Sequence, residues 1–172
     1  MGRRVVAAAC AAALAATLTG CAQTVLLEPG PFAPDPICGD ILLQLRGDKF
    51  GFQEMKTNAQ ATMAWGDGSN AIVVRCGVEP PPPTTDRCIG VTSSDGTQID
   101  WINPEAGSDL VPRHADRDVG SWTFITYGRE PAVELVVPSA LQLEPADVLQ
   151  GVALAVQRAP AYTQCVGATD VE

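Results

Sequence analysis

The chain has 172 residues, 46% of them hydrophobic, with 11 Lys plus Arg against 20 Asp plus Glu, a net charge of -9, six Cys and one His. So acidic a chain does not neutralise phosphates, which argues against nucleic acid as a partner, and a single imidazole leaves little room for a multi-histidine metal site or a histidine relay. With 14 Pro and 16 Gly spread through an otherwise apolar-rich sequence it is neither disordered nor collagenous, and its length suits one domain of roughly 100–200 residues.

The N-terminus reads as an export signal. Met1-Gly2-Arg3-Arg4 is a short basic segment, and Val5 to Leu18 is uncharged and apolar but shorter than the ~20 residues a membrane-spanning helix needs. It ends in Leu18-Thr19-Gly20-Cys21, which looks like a bacterial lipobox: small residues before a Cys whose thiol takes a diacylglycerol and becomes the new N-terminus. Residues 1–20 are thus expected to be a lipoprotein signal peptide, with Cys21 the lipid-bearing residue and the membrane a partner through that lipid. Two of the 11 bases leave with the signal, so the mature chain carries 9 bases against 20 acids, a net charge of -11.

Residues 21–35, with Pro29-Gly30-Pro31 and Pro34, read as an extended tether, and 36–172 as a single ectodomain. Asp35-Pro36 resembles a helix start, and Ile37, Cys38, Ile41, Leu42 and Leu45 follow helical spacing up to a stop at Gly47. Ala61, Met63 and Trp65 alternate with their neighbours, Gly66 to Asn70 is turn chemistry, and Ala71 to Cys76 is a β-branched run, which together predict a hairpin. Pro80 to Pro83 form a stiff connector. Cys88–Val91 and Thr97–Ile102 predict further strands about a Ser93–Gly96 turn. Residues 103–120 are polar and irregular, and loops of that length are usually functional or mobile. Strand character resumes at Ser121–Tyr127 and at Ala132–Val137, and Pro145 opens a helix with Val148, Leu149, Val152, Ala155 and Val156 on one stripe. The expected fold is α+β: an antiparallel sheet with N- and C-terminal helices packed on one face, a two-layer sandwich.

Cys10 leaves with the signal and Cys21 takes lipid; Cys38, Cys76, Cys88 and Cys165 remain. An even number in an exported chain implies two disulfides with three possible connectivities. The pairing expected from the predicted elements is Cys76–Cys88, closing the proline loop at its base, and Cys38–Cys165, tying the ends of the domain together. Without a Cys-x-x-Cys, and with His114 far from any Cys in sequence, a zinc or redox site is not expected, nor is any cofactor.

The search for chemistry turns up little. His114 lacks a Gly-x-Ser-x-Gly elbow to serve. Asp67 to Asn70 lack the spacing and terminal Glu of a calcium loop. Glu134, on a predicted strand, is a candidate for a buried pair with Arg129. Trp65, Trp101 and Trp122 are candidates for the core, or for one face that lines a sugar or lipid groove.

Trp65-Gly66-Asp67, Arg75-Cys76-Gly77-Val78, Cys88, Trp101 and Tyr127-Gly128-Arg129-Glu130-Pro131-Ala132-Val133-Glu134 together resemble a family of uncharacterised actinobacterial lipoproteins, the domain of unknown function 3515, over roughly Asp35 to Val156. The resemblance implies a membrane-anchored envelope protein and confers no catalytic residues. The sequence reading is therefore a non-catalytic interaction module, lipid-anchored to the outer face of the cytoplasmic membrane and binding an envelope protein or cell-wall component. A binding domain for a small amphiphile or glycan is the alternative, and an envelope hydrolase comes third.

Overall fold

The computed structural model describes residues 23–67, 70–105, 107–113, 115 and 120–166. The signal segment, Cys21 and His114 lie outside these. The elements run β1 (Thr24–Val25), α1 (Pro36–Leu45), β2 (Glu54–Thr57), β3 (Thr62–Asp67), β4 (Asn70–Val78), β5 (Arg87–Thr92), β6 (Gln98–Asn103), β7 (Ser121–Thr126), β8 (Ala132–Pro138), a 3-10 turn (Ser139–Leu141) and α2 (Pro145–Val156). The strands form one sheet in the order β1-β2-β3-β4-β8-β7-β6-β5. Among the described strands only the β1–β2 pairing is parallel; the other pairings are antiparallel. The fold is α+β, with a mixed rather than purely antiparallel sheet.

Local chemistry accounts for the helices. The Asp35 side chain accepts the Ile37 N–H at 2.8 Å and Pro36 opens α1, so an otherwise orphaned donor is satisfied where Pro has none to lose. Cys38, Ile41 and Leu45 of α1 and Val148, Leu149, Val152 and Val156 of α2 are buried in one cluster with Met63, Trp65, Ile72, Val74, Trp101, Phe124, Val133, Leu135 and Val137. Both helices thus cover the same face, and the alternating strand residues supply its floor. The Ser93–Gly96 turn is held by Asp95, which accepts hydrogen bonds from the Ser93 hydroxyl and the Thr97 N–H; these two bonds hold its carboxyl well below the usual carboxylate range.

The opposite face is not left to solvent. Leu27, Ala64, Val73, Ala115 and Val136 form a second buried cluster, flanked by Val25, Met55 and Val111. Val78, Ile125 and Ala132 form a third, against Leu110. Residues 24–33 and parts of the 104–115 loop therefore cover this side.

The expected tether is corrected on this point. Residues 24–35 are docked, and 31–34 form a turn: β1 pairs with β2, the Leu27 N–H donates to Asn58 Oδ1 at 2.6 Å, and the Phe32 N–H donates to the Gly77 carbonyl at 2.8 Å. Leu27 and Ala33 are buried. The apolar run Val25-Leu26-Leu27 is part of the fold rather than a spacer.

The disulfide pairing is corrected as well. The bonds are Cys38–Cys76, with Cα atoms 5.4 Å apart, and Cys88–Cys165, at 6.5 Å. Cys76–Cys88 is excluded by topology: β8, β7 and β6 lie between β4 and β5, which puts four strand spacings, roughly 19 Å, between two strands consecutive in sequence. A disulfide spans only about 4.4–6.8 Å between Cα atoms. The Pro80–Pro83 segment has a definite task in this arrangement, because residues 79–86 must cross three strands, and an extended proline-rich stretch reaches roughly 25 Å without coiling.

Candidate functional site

Among the described residues the buried ionisable side chains fall into two groups, one on each half of the sheet. The first is on the helix-free face. Arg75 on β4 and Glu134 on β8 are paired in register, each pointing away from the helices because its sequence neighbours Val74, Cys76, Val133 and Leu135 point towards them. Arg75 Nη1 donates to Glu134 Oε1 at 3.0 Å and to Oε2 at 3.1 Å, while Arg75 Nε donates to the Glu28 carbonyl at 2.9 Å. The side chains are 13% and 4% exposed, so this is a largely desolvated ion pair in which the guanidinium also grips the N-terminal segment. Beside it runs an open cleft of about 560 Å³ lined by Leu26, Leu27, Glu28, Arg75 and Arg113.

Glu134 therefore does find a buried cationic partner, but it is Arg75 and not Arg129. Sequence reasoning missed Arg75 because the β4–β8 pairing joins residues 59 apart. The only signal in the sequence was that both residues lie in motif stretches.

Arg129 builds the second group. It is 5% exposed in the turn before β8. Its Nη1 donates to the Ala159 carbonyl at 2.6 Å and its Nη2 to the Gln98 carbonyl at 3.0 Å. Burial pulls its pKa below the ordinary value, and the Asp100 carboxylate opposes that shift. Asp100, 5% exposed, accepts the Cys165 N–H at 2.8 Å and the Gln98 side-chain amide at 2.6 Å. The Tyr162 N–H donates to the Gly128 carbonyl at 2.8 Å and the Glu130 N–H to that of Pro160 at 3.2 Å. Arg129, Asp100 and the Cys88–Cys165 disulfide thus fasten the segment after α2 to the β5–β6 edge of the sheet.

Chemically, these groups hold the chain together. Sγ of Cys88 and Cys165 and a carboxylate oxygen of Asp100 lie within 4.8 Å of one another. Metal ligation requires thiolates, however, and here the sulfurs are joined to each other. The two buried acids, Glu134 and Asp100, sit in separate networks rather than in one cleft.

The tryptophans do not line one groove, although the register of Trp122 with Val137 puts all three on the helix side of the sheet. Trp65 and Trp101 are fully buried in the helix-side core. Trp65 stacks edge-on against Phe50 at 5.6 Å and its Nε1 donates to the Gly47 carbonyl at 2.8 Å. Among the described residues the Trp101 indole N–H makes no hydrogen bond. Trp122 is 45% exposed at the surface of β7. A groove lined by all three is therefore not formed.

The motif glycines have steric reasons. Gly77 adopts φ +78° and a Cβ there would lie 2.3 Å from the Phe32 backbone. Gly128 adopts φ +65° and a Cβ would lie 2.0 Å from the Thr163 carbonyl oxygen. Each sits where a terminal segment crosses the sheet.

No helix among the described residues is long and apolar enough to cross a membrane. The model of the family described as "Protein of unknown function (DUF3515)" matches residues 4–164, so the chain belongs to that family. No curated protein and no solved structure matches the chain.

Proposed function

We propose, from membership of a family that transfers no assigned activity, that this chain is an exported lipoprotein. Its ectodomain is held at the outer face of the cytoplasmic membrane by a lipid on Cys21 and acts there as a non-catalytic interaction module for an envelope protein or cell-wall component. The observation that carries the reading is the N-terminal sequence: a basic start, an uncharged apolar stretch from Val5 to Leu18, and Leu18-Thr19-Gly20-Cys21. Two disulfides support it, since such bonds persist in oxidising compartments. The non-catalytic part rests on where the buried charges go: Arg75, Glu134, Arg129 and Asp100 are committed to holding strands and termini.

Membrane fractionation of cells expressing the full chain tests the anchor. The wild type partitions with membranes and carries the mass of a diacylglycerol, whereas Cys21→Ala is released. Retention of the variant on membranes would sink the reading. Crosslinking in the native envelope tests the module, with a reproducible adduct to one envelope component as the expected result. Turnover of an envelope ester or glycan by the purified ectodomain would instead show an enzyme.

A further inference from the structure

We propose that the surface around β1, where the neighbouring Leu26 stands exposed, is the face the domain sets against the phospholipid bilayer. The proposal rests on the lipid anchor at Cys21 and adds an orientation to it. Thr24 and Val25 are fixed against Lys56 and Thr57 of β2, Leu27 is held by Asn58, and the Glu28 carbonyl is gripped by Arg75. The chain is therefore fixed to the sheet from Thr24 onward. An extended chain covers at most ~3.6 Å per residue, so the Cα of Thr24 lies within roughly 11 Å of that of the lipid-bearing residue, whatever the path between them. The headgroup layer of one leaflet is itself about 5–8 Å deep, which leaves the domain almost no room to stand off.

That surface suits the contact. Leu26 is 77% exposed, while Leu27 beside it is 7% exposed, so alternation along the extended chain turns Leu26 outward. In a mature chain of net charge -11, exposed cations lie near this surface: Lys56, paired with Thr24, and Arg113, which lines the same cleft as Leu26. Glu28 lines the same cleft. An apolar tip with neighbouring bases is the combination that lies in a lipid interface. Leu43, 66% exposed, lies on α1 over β3 and β4, on the same half of the sheet as β1, whereas Leu154 at 48% and Tyr162 at 60% belong to α2, which packs over β5 and β8, and to the tail held at the β5–β6 side. Leu154 and Tyr162 therefore sit on the half of the sheet remote from β1 and serve as controls.

The test places the photo-crosslinking residue p-benzoylphenylalanine at position 26, 154 or 162 of the full acylated protein, reconstituted in phosphatidylcholine vesicles containing phosphatidylglycerol. Flotation and intact mass are measured first. Failure to float or to carry lipid overturns the anchor reading and this one together, and is seen before any crosslink is made. For protein that floats, phospholipid adducts at position 26 should exceed those at 154 and 162 by on the order of tenfold. Equal adducts at all three positions, or more at 154, would overturn the orientation while leaving the anchor intact. A flexible Gly/Ser insertion between Gln23 and Thr24 should lower the adduct at 26 to the level of the controls while flotation persists; an unchanged adduct would overturn the claim that short spacing sets the contact.

Discussion

Arg75 and Glu134 face each other across the β4–β8 pairing at 3.0 Å, and the same guanidinium holds the Glu28 carbonyl at 2.9 Å. One side chain therefore joins the centre of the sheet to the N-terminal segment. Removing it strips a carboxylate that is 4% exposed of a charged partner, and breaking a buried pair from one side costs about 3 kcal/mol. Arg75→Met should lower the urea midpoint accordingly and release β1, read as faster amide exchange at Leu27. The double variant Arg75→Met/Glu134→Leu should recover much of the loss, because the carboxylate that lost this partner is removed with it. An unchanged midpoint in the single variant would show that the pair contributes nothing.

Non-reducing peptide mapping should yield Cys38 linked to Cys76 and Cys88 linked to Cys165. A Cys76–Cys88 peptide would contradict the strand order, since three strands lie between those residues. The two loops span sequence separations of 38 and 77, and closure of either is worth about 4 kcal/mol in the chain-entropy model. Replacing both members of one pair with Ser should lower stability by that order in chemical denaturation, for each pair separately.

What the sequence disclosed and what it hid divide along contact range. α1 and α2 were legible because Asp35-Pro36, Pro145 and the apolar spacing act within a turn or two, and the strands from β3 to β8 because alternation is local. The order of those strands was not legible: β5 follows β4 in the chain but lies at the far edge of the sheet, and the disulfide expectation failed with the assumed neighbourhood. β1 and β2 were missed because they are two and four residues long and too short to show a period. Glu134 was recognised as a strand carboxylate needing a cation, yet its partner comes from a residue 59 positions away. Arg129 stood out in sequence, but its acceptors are backbone carbonyls, which no side-chain pattern announces.

Arg129 offers a separate test of how the C-terminal segment is held. Hydrogen bonds involving a charged donor contribute about 1.5–3 kcal/mol, so Arg129→Ala should destabilise the domain by that order, leaving the Ala159 and Gln98 carbonyls without their donor. Arg129→Lys should rescue it only in part, because a single ammonium cannot reproduce the planar fork that reaches both carbonyls. The diagnostic readout is local: the Tyr162 and Glu130 amides, bonded to Gly128 and Pro160, should exchange faster, and the Cys88–Cys165 bond should be reduced sooner than Cys38–Cys76. Uniform loosening of both disulfides would count against a local clamp.

Gly77 and Gly128 separate steric need from backbone preference. Both have positive φ, as do Gly47 and Gly96, but a Cβ at Gly47 or Gly96 meets nothing within 4 Å. Replacing either of those by Ala should cost only the left-handed conformational penalty, about 1 kcal/mol. At Gly77 the new methyl would collide with Phe32 backbone atoms at 2.3 Å, and at Gly128 with the Thr163 carbonyl at 2.0 Å. Backbone cannot rotate aside as a side chain can, so relief requires the N-terminal or the C-terminal segment to lift off the sheet. Gly77→Ala and Gly128→Ala should therefore lose at least ~2 kcal/mol, beyond the strain penalty alone. Each should expose its own terminus to limited proteolysis, near Phe32 for the first and near Thr163 for the second. Equal and small losses at all four glycines would show that neither terminus is tightly seated.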